Sequence, residues 1–412
     1  MRDGLSLQDH RRCLGPEAQP GDIVWVRAGT YREREPVRLR AGVTLRGEDT
    51  QRPEWTTIWS NEGHAVIGTG RVLTATCVLE GFTIIGGHGR AIYIQDGARQ
   101  IIRHNIIRAC VNGYKGAAIR IDDEGTSPSI LDNTFVDNSS TREGGVIYIE
   151  DASPLIFGNR FTHNQSDRDG GAIVVRTVLR PGQQAVIAEN EFIDNTAAAK
   201  GGAIYVELAK PVIQSNQVLS NTAHSGAGIY VNGTCVTGSA LIQHNSIAFN
   251  RTTGAGADSA GGALAILGRA NCYVDGNVLQ HNLARRGDGI FVGGSAPRIT
   301  NNILSANGRS EIWVEEGSPE ILNNTVVGIG SSESVGIEVR GPSYPRVASN
   351  ILSQYSVGTY ADGMAAPVVH QNGTWMNVVD YSRVDPGEAS LSLPPSLVIP
   401  RTATTICRRT RL

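Results

Sequence analysis

Gly201-Gly202-Ala203-Ile204-Tyr205-Val206-Glu207, then Pro211-Val212-Ile213-Gln214-Ser215-Asn216 and a closing Asn221, is a phrase the chain writes about ten times between residues 86 and 355. Each unit has a small or Gly-Gly start and an apolar-X-apolar triplet. A Pro or small residue follows, then Asn-X-apolar-X-X-Asn. A repeat of this period decides the fold before any other feature does.

The asparagines give the register. The first of each unit is Asn105, Asn133, Asn159, Asn190, Asn216, Asn245, Asn277, Asn302, Asn324 and Asn350, with gaps of 22 to 32 residues. A second follows five places on at Asn138, Asn164, Asn195, Asn221, Asn250, Asn282 and Asn307. A coil of this length holds three short strands and three turns. Stacked coils put equivalent strands ~4.8 Å apart in long parallel sheets. Strands so short cannot bury a face alone, so each coil needs its neighbours. The expected fold is therefore all-β: a single parallel β-helix solenoid of about a dozen coils. The asparagines are expected to form ladders at the turns, each amide bonded to the next coil.

Composition agrees. The 412 residues include 49 Gly but only seven Phe and three Met, which is not a helical core. A formal net charge of -2 gives no electrostatic case for nucleic acid. No apolar run approaches the ~20 residues of a membrane span. The six cysteines (Cys13, Cys77, Cys110, Cys235, Cys272 and Cys407) show no CxxC spacing. Cys77, Cys110 and Cys272 sit in strand-like runs and read as small buried hydrophobes. The first residues are charged and lack the apolar core of a signal peptide.

Before the regular repeat come Pro20-Gly21-Asp22 with Gly29-Thr30-Tyr31, Gly42-Val43-Thr44-Leu45-Arg46-Gly47, and Gly81-Phe82-Thr83-Ile84. This opening resembles bacterial right-handed parallel β-helix repeat proteins of the pectate-lyase-like superfamily, over roughly residues 20–380. The resemblance is specific for fold. It implies an extracellular or cell-surface location, and it spans lyases, hydrolases, epimerases and surface modules.

If the ends of each triplet face inward, as expected for Ile147 and Ile149, its middle residue faces outward. That column reads Tyr93, Arg120, Tyr148, Val174, Tyr205, Tyr230, Ala265, Phe291, Trp313 and Glu338. Two places on, also outward, stand Gln95, Asp122, Glu150, Arg176, Glu207 and Asn232. An aromatic stripe beside an acidic one fits a sugar chain: Tyr93, Tyr148, Tyr205, Tyr230, Phe291 and Trp313 would stack on its rings. The same stripe also fits stacking that only stabilises the sheet.

Acidic charge peaks at Asp96, Asp122, Asp123, Glu124, Glu150 and Asp151, with Arg120 and Arg176 beside them. Crowded carboxylates repel, and Ca2+ would relieve this with Asp96, Asp122, Asp123, Glu150 and Asp151 as ligands. In lyases of the resembled family, Ca2+ bridges an acidic sugar and an Arg or Lys removes the C5 proton; Arg120 or Arg176 would be that base. A hydrolase would instead use Asp122 and Glu150. Gly87-His88-Gly89 and Asp122-Asp123 are similar to pieces of the polygalacturonase signature but stand in the opposite order, so no residue role is carried over. His88 reads as a turn residue. The histidines His104, His163, His244 and His281 occupy two places in the repeat and make no single metal column.

The expected organisation is an unpatterned leader at 1–20, the β-helix at 21–360, and a closing loop at 361–412. The run at 396–410 has neither repeat nor cap character and is expected to be an out-of-frame tail. The expected function is polysaccharide binding along the aromatic and acidic face, with lyase chemistry as the catalytic option. A non-catalytic structural or adhesive surface module is the alternative.

Overall fold

The structure is a computed structural model that describes residues 18–60, 63–86, 89–177, 184–233, 238–256 and 258–392. His88, Cys13, Cys235, Cys407, most of the leader and the proposed tail lie outside the described residues.

The coils visit three long sheets in the same order, and all pairing is parallel. The first sheet has 14 strands, from Ile23–Val26 to Val368–His370. The second has 15, from Gly29–Glu33 to Leu391–Ser392. A short bridging sheet of six two-residue strands runs from Val111–Asn112 to Arg251–Thr252. The third has 14, from Val37–Arg38 to Val379–Ser382. Solenoid strands extend past residue 360, where the sequence reading ends the repeat: Val368–His370 still pairs with Arg346–Ala348. The reason is visible at Asn372, which continues the first ladder 22 residues after Asn350 and follows Pro367-Val368-Val369 as Asn216 follows Pro211-Val212-Ile213.

The inward triplet residues form one continuous core that includes Ile147, Ile149, Ile204 and Val206. β-Branched side chains fit this pleated, stacked surface. Inside the second sheet, Phe135, Phe161 and Phe192 stack at 4.7 and 4.8 Å between ring centroids, the spacing of the strands that carry them.

Both expected ladders exist. From Asn133 to Asn372, each Oδ1 accepts the backbone N–H of the preceding ladder Asn, beginning with Asn105, at 2.9–3.0 Å. The second ladder, Asn138 to Asn307, repeats this at 2.9–3.2 Å. These donors are buried, so each amide satisfies a group that would otherwise cost about 1–3 kcal/mol. Cys110 stands where this ladder would begin, and its N–H donates to Asn138 Oδ1 at 3.1 Å. Glu311 ends the ladder, accepting from Asn307 N–H at 3.1 Å. Cys77, Cys110 and Cys272 are free and buried, and burial pushes each thiol up to about 12.

The Gly-Gly openings have two separate causes. The first glycine, as at Gly144, Gly170 and Gly201, has φ of 67–69°. The second packs against the next coil: a Cβ on Gly145 would lie 2.2 Å from Gly171 O.

Candidate functional site

Several third-sheet strands end in a polar residue followed by a left-handed turn. In three successive coils that turn residue is Asp96, Asp123 or Asp151, with φ of 61, 77 and 53°. Asp tolerates this conformation better than most side chains, so the turn itself favours these acids. Beside them the register pairs Arg120 with Tyr93 and Tyr148, and Asp122 with Glu150.

Together these coils line an open groove of about 540 Å³ formed by Arg71, Asp96, Arg120, Asp122, Asp123, Glu124, Glu150 and Asp151. The structure thus brings six sequence-predicted residues to one place: Asp96, Arg120, Asp122, Asp123, Glu150 and Asp151. It adds Arg71, which sits in an irregular stretch with no repeat to flag it. Its only sequence signal is Gly97, where a Cβ would lie 2.6 Å from Arg71 Cγ.

Arg120 is the hub. Its Nε donates to Asp122 Oδ2, and its Nη2 donates to Glu150 Oε2 at 3.0 Å. Tyr93 Oη donates to the same Asp122 oxygen at 3.2 Å. Asp122 is 7% exposed, and its buried Oδ1 has no hydrogen-bond partner among the described residues. Burial pushes the Asp122 carboxyl above the usual range, with the Glu150 charge adding to it; Arg120 and Tyr93 offset this only in part. Arg120 itself is held above its ordinary value: burial opposes its charge, but Asp122 and Glu150 outweigh that.

Arg176 stands outside the groove lining. It pairs with Glu207 and lies 3.6 Å from Glu143. Burial opposes its charge too, and Tyr148, Glu207 and Glu143 more than compensate. Carboxylates beside both arginines favour their guanidinium form.

The aromatic stripe is corrected more sharply. Tyr148, Tyr205, Tyr230 and Phe291 do point away from the core, but none is more than 5% exposed. Tyr148, Val174, Tyr205, Tyr230 and Ala265 form a second apolar cluster under the chain that returns to the third sheet. Left-handed glycines press that chain onto the rings: a Cβ on Gly116 would lie 3.0 Å from Tyr148 Cβ, and one on Gly226 2.8 Å from Tyr230 Cβ. Residue parity shows which way a side chain leaves the sheet, not what covers it. Only Tyr93 and Trp313, at the ends of the predicted stripe, are half-buried.

The residue before each such glycine was missed by the sequence reading, yet it forms a column of its own: Lys115, Glu143, Asp169 and Lys200. Lys115 Nζ donates to Tyr148 Oη at 2.7 Å, and Lys200 Nζ lies 5.3 Å above the Tyr230 ring. Near the groove, Arg90 sits between Tyr93 and the 55% exposed Tyr114, 5.4 and 5.2 Å from their centroids. His64 packs on Tyr93 at 5.2 Å, and burial lowers its pKa, which favours neutral imidazole.

The groove's donors are oxygens, as Ca2+ prefers. Yet among the described residues no three His, Cys, Asp or Glu side chains gather as a metal site. Asp122 and Glu150 already face a guanidinium. The arrangement does not fit a Ca2+ cage built from the predicted ligands.

Residues 65–247 and 203–352 match the family described as "Right handed beta helix region". The chain belongs to the right-handed β-helix family. No match is found among curated proteins. Among solved structures, this β-helix is similar to the A-module of the Azotobacter vinelandii mannuronan C-5 epimerase AlgE6, at 15% identity over 91% of each chain and a TM-score of 0.39. It is similar to the catalytic unit of a GH87 α-1,3-glucanase from Streptomyces thermodiastaticus, at 13% identity over 90% of this chain and 64% of that one, TM-score 0.40. A mutant of the PL6 family alginate lyase AlyGC matches at 10% identity over 94% of this chain and 75% of that one, TM-score 0.33. At these identities and scores the likenesses say nothing about this β-helix's activity. Among the described residues, no helix is long and apolar enough to cross a membrane.

Proposed function

We propose that this β-helix binds a polysaccharide chain in the groove over Arg120, Asp122 and Glu150, as an extracellular or cell-surface protein. The observation that carries the reading is an open groove of about 540 Å³ lined by acids from three adjacent coils, two of which, Asp122 and Glu150, pair with Arg120. Asp122 offers a bare, buried oxygen there, and Tyr114 offers an exposed ring at the flank. Hydroxyls of a sugar supply donors for the carboxylate oxygens that line the groove.

The chemistry favours acid catalysis over proton abstraction by arginine. Burial raises the Asp122 carboxyl, the direction a general acid requires, while Arg120 still holds its Oδ2. Glu150, in register beside it, is the second carboxyl such cleavage requires. Arg120 keeps the pair together and binds anionic or hydroxyl oxygens of the chain.

Affinity electrophoresis on acidic and neutral polysaccharides, with and without Ca2+, tests the reading. Retention on at least one polymer is expected, unchanged by chelator and weakened roughly tenfold by Arg120→Gln, the worth of one charge-assisted hydrogen bond. Release of reducing ends, lost in both Asp122→Asn and Glu150→Gln, would make the protein a hydrolase. Unsaturated uronate products with Ca2+ would restore the lyase reading. No retention on any polymer leaves the structural or adhesive module.

A further inference from the structure

On the outer face of the first sheet, four side chains stand in one row. The register pairs Trp25 with Arg46, Arg46 with Glu80, and Glu80 with Arg103. Glu80 is buried, and its two oxygens accept separately, one from Arg46 Nε and the other from Arg103 Nε at 2.6 Å. Burial works against its charge, but the two guanidinium groups outweigh this and hold the carboxyl below the usual range. Each arginine is thus fixed through Nε. Among the described residues, no further hydrogen-bond acceptor meets the terminal nitrogens of either.

These groups line a groove of about 450 Å³ with Glu48, Asp49, Thr50, Gln51 and His104. The acids at its rim are engaged by backbone: Glu48 Oε2 accepts from Ala28 N–H at 2.6 Å and Asp49 Oδ1 from Gln51 N–H at 2.8 Å. The floor is held by close packing, since a Cβ on Gly47 would lie 2.0 Å from Gly81 O. Trp25 is 59% exposed, and Arg46 Cζ stands 4.9 Å from its ring centroid. An exposed indole beside two oriented guanidinium forks is the complement of a sugar ring that carries a carboxylate.

We propose that this row is a second carbohydrate site, which stacks a uronate residue on Trp25 and pairs its carboxylate with Arg46 and Arg103. It rests on the reading that the chain binds polysaccharide, but it uses a different sheet and shares no residue with the Arg120 groove. The two sites can therefore be tested apart.

The probes are oligouronates (galacturonate, glucuronate, mannuronate and guluronate), with a neutral glucan oligomer beside them. Binding to the full chain is followed by calorimetry and tryptophan fluorescence. One oligouronate is expected to bind the wild type and change its fluorescence. Trp25→Ala should lose that fluorescence change and weaken this binding about tenfold. Arg46→Lys, which keeps the charge beside Glu80 but loses the fork, should weaken it as well. An unchanged melting temperature in Trp25→Ala confirms that the exposed side chain was not needed for folding.

Unaltered affinity in Trp25→Ala overturns the proposal, as does a neutral oligomer that binds this site as well as any uronate. Loss of all binding in Arg120→Gln assigns recognition to the other groove alone and overturns this one. Absence of any saccharide binding in the wild type sinks both readings.

Discussion

The third sheet carries two Arg–carboxylate pairs of the same design, one near each end. In Ile119–Asp122 the order is Arg120 then Asp122; in Val335–Arg340 it is Glu338 then Arg340. Both pairs lie two residues apart on one strand, on its outer face. Their surroundings differ. Arg120 reaches across to Glu150 and opens onto an acid-lined groove. Arg340 is clasped between two rings, 5.2 Å from Trp313 and 5.0 Å from Tyr360, and donates at 2.8 Å to a buried Glu338. The same pair can thus be a site or a staple. What decides is whether the next coil supplies more carboxylates or aromatic cover.

The largest effect should come from breaking the staple. Arg340→Ala leaves Glu338 as a buried carboxylate without its cation, at a cost of about 3 kcal/mol in chemical denaturation. Adding Glu338→Gln should recover most of that. A loss below about 0.5 kcal/mol, the range of ordinary surface changes, would show that the pair is not a staple.

Glu311 marks the limit of the comparison: a buried carboxyl with no guanidinium among its partners. Burial pushes it up to about 8, with Asp288 adding to the rise, while hydrogen bonds from Asn307 pull the other way. The ordinary value is 4.5. Between those two values the folded chain holds a proton that the unfolded chain has released. Glu311 therefore stabilises fully below pH 4.5 and loses that contribution as the pH rises to about 8. Glu311→Gln, whose oxygen can accept from both Asn307 donors as the ladder amides do, should flatten that decline. The expected difference at pH 9 is on the order of 2 kcal/mol in favour of the variant. Parallel pH–stability curves for the two proteins would refute the assignment.

Much of this comparison was legible in the sequence, and its unread part has a physical reason. Period and parity are local properties, so the ladders, the inward isoleucines and the acids of the groove could be placed by counting. Cover is not local. Tyr148 and Tyr93 hold equivalent places in the repeat, yet one lies beneath the returning chain and the other stays half-buried. The clue was the glycine of each opening: a left-handed turn at Gly116 or Gly144 brings backbone onto the ring behind it. Lys115 and Glu143, next to those glycines, carry the charges that reach the rings. Arg71 left only Gly97 as a trace, because its own stretch does not repeat.

A smaller effect separates the two pairs by function. Arg120→Gln and Arg340→Gln remove the same charge from the same face. The first should weaken polysaccharide retention roughly tenfold, while the second should leave retention unchanged and lower the melting temperature. Equal retention losses would mean that the face binds as a whole and that the groove is not special.

The smallest effect tests whether the buried rings belong to the site. Tyr148 lies between the groove and the Arg176 cluster: Lys115 donates to its hydroxyl at 2.7 Å, and that hydroxyl stands 3.4 Å from Glu150 Oε1. Tyr148→Phe keeps the ring in its cluster and removes these bonds together with the hydroxyl's interaction with Arg176. Lys115 retains Glu143 at 3.3 Å, so its charge is not orphaned. The stability cost should be about 1 kcal/mol, one hydrogen bond's net worth. Retention should hold within about twofold, since the ring is sealed from any ligand and Arg120 still orients Glu150. A loss as large as that of Arg120→Gln would mean that Lys115 and Tyr148 position Glu150 for binding. The groove would then extend beneath its cover to the next coil, and the line drawn here between site and staple would have to move with it.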